Sequence, residues 1–249
     1  SAAYMQRMGL PATFRQTLRH LHAFAQTSLD RLFFLTGKWH ALQIERHGHE
    51  LIVQAVERKT GALLVGAHLG SFEAMRAAAA HFAVPLTIVV DFTNAERVNR
   101  VLQALAPGAM LRVISLGGEG PGAAIEPILE IKAAIARGEL VAMLSDRRSD
   151  RDERCVTATC LGAPARFPLG PWILAHSLGC PVYFVAGLYT KPNRYDLHCE
   201  LLAERVVLRR GDRGGAAQPY VDQFAQFIDK YAQLAPLNWF NFYDFWSQA

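Results

Sequence analysis

The sequence predicts a mixed α/β fold, with one largely parallel sheet flanked by helices in a single domain. The first observation is that short apolar runs alternate with segments of helical periodicity. The second is that these runs are apolar throughout, which is typical of strands covered on both faces. The third is that no repeat and no clear linker divides the 249 residues, a length that can bury one substantial core.

Composition narrows the classes of protein. Hydrophobic residues make up 51% and charged residues 19%, which excludes disorder for most of the chain. The net charge of +4 and the pI of about 9.0 favour an anionic partner, such as a membrane surface, an acidic carrier protein or a phosphate. This charge is too small to indicate nucleic acid, and we expect no nucleic-acid partner.

Targeting and metal signals are weak. No apolar run approaches the roughly 20 residues of a membrane span, and no signal peptide is visible. Because the chain begins at Ser1 rather than Met, we expect that an anchoring segment could precede it. The cysteines show no zinc-ligand spacing, so we expect reduced, buried thiols and no metal; they are Cys155, Cys160, Cys180 and Cys199.

Residues 1–60 are predicted to form an N-terminal helical segment that packs on, or leads into, the core of residues 61–249. Within it, apolar residues recur at steps of three and four over 11–35. The favoured interpretation is a helix that covers the sheet, and the alternative is a basic helix on a membrane surface. A second helix is predicted over 50–58.

The core elements follow in order. Strands are predicted at 62–67, 86–91, 111–116 and 140–145, separated by helices at 71–82, 95–105 and 123–137. After Asp146 the rhythm changes, and we expect strands at 156–161 and 181–188 around a helix at 169–178. Segments 195–202 and 205–209 are expected to form an edge or antiparallel part, followed by a helix over 219–234.

The principal candidate site lies where the first core strand meets its helix. His68 follows the apolar run, and Ser71 is a candidate N-cap for the helix that carries Glu73. Ligands of open α/β sheets bind at the carboxyl ends of strands. The sequence therefore indicates a base oriented by a carboxylate, with Glu73 holding one nitrogen of His68. The alternative is a histidine that merely hydrogen-bonds a loop or caps the helix.

Other segments offer competing or supporting sites. Residues 117–123 satisfy G-x-G-x-x-A, so a nucleotide-dependent enzyme is a rival hypothesis, although Glu119 and Pro121 disfavour a bound pyrophosphate. Asp146 and Arg147 follow a strand end, where the arginine could bind an anion or stabilise an oxyanion. The loop with Gly162 and Pro164 either shapes a pocket or only reverses the chain.

The aromatic tail allows two interpretations. Six aromatic residues occur within 239–246. We expect them to dock into the core rather than to lie at a lipid interface, because a soluble chain seldom exposes so large an apolar patch.

Several short motifs occur in a fixed order along the chain. The first runs from His68 to Glu73, and the later ones are Gly138-Glu139-Leu140-Val141, Asp146, Gly162-Ala163-Pro164-Ala165, Leu174-Ala175 and Gly179-Cys180-Pro181-Val182. This ordered set resembles the lysophospholipid acyltransferase superfamily, and most closely its bacterial lipid A biosynthesis acyltransferase branch, in which the first element is the H-x4-D/E motif. The resemblance covers roughly residues 61–188, and the tail is also similar to members associated with aryl polyene pigments.

The resemblance implies an acyltransferase with a groove for the acyl chain. It implies that His68, oriented by Glu73, deprotonates a hydroxyl or amine of a lipid-like acceptor, which attacks an acyl carrier protein or coenzyme A thioester. No metal or redox cofactor is implied. The resemblance also implies that the protein lies on the cytoplasmic face of the bacterial inner membrane. A non-catalytic member that binds lipid or carrier protein is the alternative.

The implied substrate-binding residues fall in two groups. Gly70, Ser71, Asp146, Arg147, Gly162 and Pro164 lie in the matched motifs. The chain departs from lipid A enzymes in having Asp146-Arg147 for Asp-Gln, and in lacking an Arg-Pro element after the second core strand. Arg97 or Arg100 is the candidate replacement for that arginine, and these departures make a lipid A precursor a doubtful acceptor.

Overall fold

The structure, a computed structural model, describes residues 1–90, 111–116, 125–147 and 154–246. Three α-helices and a short strand precede the first predicted core strand. The elements are α1 (Ala2–Arg7), α2 (Phe14–Leu35), β1 (Gln43–His47), α3 (His49–Glu57), β2 (Ala62–Gly70), α4 (Phe72–His81), β3 (Leu86–Val90), β4 (Leu111–Ser115), α5 (Glu126–Ala136), β5 (Leu140–Leu144), β6 (Cys155–Cys160), β7 (Ala163–Pro168), α6 (Gly170–Leu178), β8 (Val182–Lys191), β9 (Arg194–Ala203) and α7 (Arg213–Leu234).

Within the described residues, seven strands form the main sheet in the order β1-β9-β8-β2-β5-β3-β4. Strands β8, β2, β5, β3 and β4 run parallel to one another, whereas β9 pairs antiparallel with β8 and parallel with β1. The predicted mixed, largely parallel sheet flanked by helices is confirmed. Strands β6 and β7 form a separate antiparallel hairpin that contacts α7.

Strand β2 lies at the centre of the sheet and explains why its sequence is apolar throughout. Its side chains alternate between two cores, because successive residues of a strand point to opposite faces. Leu63, Val65 and Leu69 belong to the larger core, and Ala62 and Leu64 to the smaller one. All five are buried, so both faces of this strand are covered.

Three expectations about secondary structure are corrected. Strand β1 was not predicted, because it is a polar edge strand, largely exposed, that lacks an apolar pattern. No strand forms over 205–209, where only Arg209 makes an isolated bridge. Val206 and Leu208 are nevertheless buried, so packing alone accounts for the alternation there. Helix α7 begins at Arg213 rather than at Pro219, because the Asp212 side chain accepts the amide of Gly215 and caps the helix.

Helix α2 has an unusual distribution of polar and apolar side chains. Its core-facing side carries His20, Thr27 and Asp30 among the buried residues, whereas Leu29 and Leu32 are about three-fifths exposed. The polar core face is satisfied by hydrogen bonds, including one from the Tyr195 hydroxyl to Asp30 at 2.6 Å. In the part of the chain that the structure describes, no helix is both long and apolar enough to cross a membrane.

The aromatic tail docks into the core, as predicted. Trp239, Phe240 and Phe245 are buried, and their rings pack on one another and on neighbouring aromatic side chains. The tail also extends the sheet, because Leu69 and Trp239 form an antiparallel bridge beyond the end of β5. It therefore reaches the carboxyl edge of the sheet, where the candidate site lies.

Candidate active site

His68 is positioned by the last residues of β2. The strand extends beyond the predicted end to Gly70, and its register with β8 shifts between Gly66 and Gly70. Gly70 has φ +73°, and a Cβ there would lie 2.0 Å from the carbonyl oxygen of Gly187, so only glycine fits. The predicted N-cap is confirmed, since the Ser71 hydroxyl accepts the amide of Ala74 at 3.2 Å. His68 is thereby held just before helix α4.

The carboxylate that holds His68 is Asp146, the second residue after β5. Asp146 Oδ1 lies 2.7 Å from His68 Nδ1, and Asp146 Oδ2 accepts the backbone amide of His68 at 3.0 Å. Because a carboxylate accepts, Nδ1 carries the proton of the neutral imidazole, and Nε2 keeps its lone pair. The His68 side chain remains 27% exposed. This tautomer can take a proton at Nε2.

Asp146 is completely buried, yet each of its carboxylate oxygens accepts at least one hydrogen bond. Besides the backbone amide of His68, its Oδ2 accepts the indole N–H of Trp239 at 3.1 Å and the side-chain Nδ2 of Asn241 at 2.9 Å. Burial acts to raise the pKa of Asp146, but the hydrogen bonds from His68 and Trp239 outweigh it and lower that pKa. The carboxylate is therefore charged when it orients the imidazole.

The aromatic tail supplies this environment, a role that the sequence analysis did not identify. The amide of Phe240 donates to the His68 carbonyl at 2.7 Å, and the amide of Gly70 donates to the Asn238 carbonyl at 2.8 Å. The tail thus fixes the backbone of His68 and delivers two donors to Asp146. The only signal in the sequence was Trp239 and Asn241 within an aromatic segment, and nothing there linked them to residue 146.

The predicted pairing of Glu73 with His68 is corrected by the geometry. Glu73 Oε2 accepts Arg76 Nε at 2.5 Å, and Glu73 Oε1 accepts Arg31 Nη2 at 3.4 Å. The nitrogen of His68 that is held by a carboxylate is Nδ1, and its partner is Asp146 rather than Glu73. Asp146 is closer because β5 pairs directly with β2, whereas Glu73 lies on the first turn of α4 and meets arginines on α2 and α4.

A cavity of about 1010 Å³ opens beside these groups. This volume lies at the upper end of the range of small-molecule sites. Its polar part includes His68, Glu73 and three arginines, and much of the remaining wall is apolar. The lining residues include Phe24, Thr27, Ser28, Arg31, Gly70, Ser71, Phe72, Arg76, Ile88, Val90, Val113, Met143, Leu144, Arg147, Phe240, Phe242 and Tyr243.

The other predicted site residues separate into three groups. Gly70, Ser71 and Arg147 line the cavity, and Arg147 donates to Asn241 Oδ1 at 2.8 Å and to the Phe240 carbonyl at 3.0 Å. Gly162 lies in the turn of the β6–β7 hairpin and Pro164 lies in β7, and neither is among the residues that line this cavity. Their expected role in substrate binding stays a prediction.

The third group lies outside the described residues. It comprises Arg97, Arg100 and the glycine-rich segment 117–123. Among the described residues, Glu45, His47 and Asp196 have the spacing of metal ligands, but Arg194 forms ion pairs with both carboxylates on an open sheet edge. The four cysteines are free thiols, and three of them are buried.

Comparison with known protein families gives one match over most of the chain. The family model for bacterial lipid A biosynthesis acyltransferases matches residues 17–247, which is most of the chain. The comparison of this chain with individually curated proteins found no match. The match includes His68, Asp146, the arginines of the cavity and the aromatic tail. The chain therefore belongs to the bacterial lipid A biosynthesis acyltransferase family, whose members transfer acyl groups.

Proposed function

We propose that the protein transfers a fatty or aryl-polyene acyl group from an acyl carrier protein or coenzyme A thioester to a lipid-like acceptor, with His68 as general base. The observation that carries this proposal is the 2.7 Å bond between His68 Nδ1 and Asp146 Oδ1. It fixes the tautomer in which Nε2 is the basic nitrogen. His68 also lines the cavity in which two substrates could meet.

The proposed reaction needs one base that becomes an acid. His68 Nε2 takes the proton of the acceptor hydroxyl or amine, and the acceptor atom attacks the thioester carbonyl. When the tetrahedral intermediate collapses, the carbon–sulfur bond breaks, and the thiolate takes the proton back from Nε2. The products are an ester or amide and a free thiol. Asp146 stabilises the imidazolium between the two steps.

The intermediate's oxyanion also needs donors. The amides of Phe72 and Glu73 lie in the first turn of α4, where no intrahelical carbonyl accepts them. We assign oxyanion stabilisation to this helix end, with Arg147 as the alternative donor on the cavity wall. The apolar wall, which includes Ile88, Val113 and Met143, supports a site for the acyl chain.

The test compares purified wild type with His68→Ala on a panel of acyl thioesters and acceptors. Loss of a general base slows transfer by about 10²–10⁴-fold. We therefore expect His68→Ala to form acyl product more slowly than wild type by a factor in that range, while its melting temperature changes little. His49→Ala is the matched control, because His49 is exposed and lies outside the cavity. Wild-type turnover by His68→Ala would exclude the mechanism, and substrate binding without turnover in the wild type would favour the non-catalytic alternative.

We further propose that α2 places the cavity against an anionic membrane surface. Phe14, Leu18, Leu21, Leu29 and Leu32 are separated by steps of three, four or eight residues, and all are exposed. This set, here called the α2 stripe, lies on one face of the helix. Exposed apolar stripes of this kind mark lipid-binding helices when basic residues flank them.

The flanks of the α2 stripe support this orientation. Exposed Arg15 and Arg19 follow Phe14 and Leu18 in the chain and fit anionic headgroups. Phe24, Ser28 and Arg31 belong to the same helix and line the cavity. An acyl acceptor dissolved in the bilayer would therefore have a short path to His68.

Sedimentation with phosphatidylglycerol vesicles tests the membrane assignment. We expect the double variant Leu29→Ser, Leu32→Ser to bind at least about tenfold more weakly, because burying one leucine contributes roughly 1.5–3 kcal/mol. The control is Leu129→Ser, Leu234→Ser, which removes two leucines of similar exposure on other helices. Equal binding of both variants would contradict a lipid-facing α2 stripe.

A further inference from the structure

Glu73 links two arginines on different helices at the wall of the cavity. Arg76 on α4 forms a 2.5 Å ion pair with it, and Arg31 on α2 forms a longer one of 3.4 Å. One carboxylate therefore faces two guanidinium groups, which leaves a net charge of +1 in this cluster. All three side chains line the same cavity as His68.

Arg76 is the unusual member of this cluster. Its side chain is only 3% exposed, and its Nη2 is buried without a hydrogen-bond partner in the part of the chain that the structure describes. A buried donor left unpaired is costly, and more so on a charged group. A structural ion pair alone would not require this surplus, since Glu73 already binds Nε.

Arg147, on the same cavity, provides the contrast. Its Nε and Nη2 both donate to the tail, to Asn241 and to the Phe240 carbonyl, and its guanidinium lies 5.6 Å from the ring of Tyr243. Arg147 is thus bound through two nitrogens and a ring. Among the described arginines that line the cavity, the buried donor without a partner is therefore Nη2 of Arg76, next to Glu73.

We propose that Arg76, assisted by Arg31, binds a phosphate group of a substrate in this cavity. A phosphate would neutralise the surplus charge and accept from the planar fork that guanidinium presents. Arg31 is 59% exposed, and its single bond to Glu73 is long, so it can turn toward the ligand at little cost. The choice of phosphate rests on the proposed function, in which the pantetheine arm of the donor carries a phosphate and a lipid-like acceptor can carry another.

Calorimetric titration of the whole protein, with no turnover, tests the site. The probes are two matched pairs, pantetheine 4′-phosphate with pantetheine, and glycerol 3-phosphate with glycerol. We expect a phosphorylated probe to bind wild type at least about tenfold more tightly than its unphosphorylated partner. A gain in the first pair assigns the site to the donor, and a gain in the second assigns it to the acceptor.

The variants are chosen so that folding does not decide the result. Arg76→Lys keeps the charge but loses the fork, and exposed Arg31→Gln cannot leave a buried cavity; both should reduce the phosphate gain. Arg137→Gln is the matched control, because Arg137 Nε also bonds a glutamate at 2.5 Å but lies outside the cavity. No phosphate gain in wild type, or equal gains in wild type, Arg76→Lys and Arg31→Gln, would overturn the proposal.

This measurement is independent of the proposed reaction. If His68→Ala kept wild-type turnover while the phosphate gain persisted, the catalytic mechanism would fail and the anion site would stand. If His68→Ala abolished transfer but Arg76→Lys and Arg31→Gln bound phosphate as wild type does, only the anion site would fail.

Discussion

Two carboxylates near the cavity are held in opposite ways: Glu73 lines the cavity itself, and Asp146 hydrogen-bonds His68, which lines it. Asp146 is completely buried and receives hydrogen bonds from His68, Trp239 and Asn241, with no arginine among these donors. Glu73 is 15% exposed and is held by two arginines, one of which keeps an unfilled donor. The first arrangement fixes a base, and the second retains positive charge for a ligand.

The difference shows that a carboxylate's neighbours, rather than its spacing from a histidine, determine its role. Asp146 keeps its negative charge next to the imidazole, because neutral N–H donors stabilise it without competing for His68. Glu73 has its charge offset by guanidinium groups, so it contributes little field at His68. Each of the following predictions separates these two roles.

The largest effect is expected from Asp146→Asn. The amide cannot accept from Nδ1 and stabilise the imidazolium as a carboxylate does, so kcat should fall on the order of 10²–10⁴-fold. Thermal unfolding should show a folded variant, because the shape of the side chain is retained. A kcat within about threefold of wild type would show that Asp146 does not orient the base.

Glu73→Gln should have a much smaller effect on kcat, about tenfold or less. It leaves the His68–Asp146 pair intact but removes the charge that balances Arg76, so we expect stability to fall by about 1–3 kcal/mol in urea unfolding. Binding of the phosphorylated probe should become tighter, because one more positive charge is uncompensated. A kcat loss equal to that of Asp146→Asn would place Glu73, not Asp146, in the primary role.

Trp239→Phe removes one of the donors that hold Asp146. A hydrogen bond to a charged group contributes about 1.5–3 kcal/mol, so stability should fall by that amount, and the pKa of Asp146 should rise. Loss of activity at acidic pH should therefore begin at a higher pH than in wild type. The control is Trp246→Phe, which loses an equal 3.1 Å bond, but to the Cys160 carbonyl. Identical pH profiles for the two variants would contradict the role of the tail.

The smallest effect under ordinary assay conditions is expected from His20→Gln. His20 anchors the tail through a 3.0 Å hydrogen bond between its Nε2 and the Trp239 carbonyl. Burial lowers the pKa of His20 to about 4, against the opposing effect of that bond. Between this value and the ordinary pKa of about 6.5, the unfolded state binds more protons than the folded state. Stability contributed by neutral His20 is therefore complete above pH 6.5 and is lost as the pH falls toward 4.

Unfolding titrations of wild type and His20→Gln across this range measure that contribution. The difference in slope should approach about 1.4 kcal/mol per pH unit between pH 4 and 6.5, and it should vanish above pH 7. Parallel stability curves for the two proteins would show that His20 does not titrate with folding.

Much of the fold could be predicted from local pattern. The alternation of apolar runs with segments of helical periodicity indicated the parallel core. Gly70 and Ser71 indicated the turn between β2 and α4. The polar edge strand β1 was missed, because exposed strands carry no apolar signal. The stretch over 205–209 was misassigned, because buried alternation alone does not form a ladder.

For the site, the sequence by itself determined that His68 stands at the carboxyl end of a core strand, that Ser71 caps the next helix, and that the chain has the motifs of an acyltransferase. These features depend on residues close together in the chain. Only the tertiary structure decided that Asp146 rather than Glu73 holds the imidazole, and that Trp239 and Asn241 hold Asp146. Strand pairing brings together residues 78 and 93 positions apart, a proximity that local spacing does not encode.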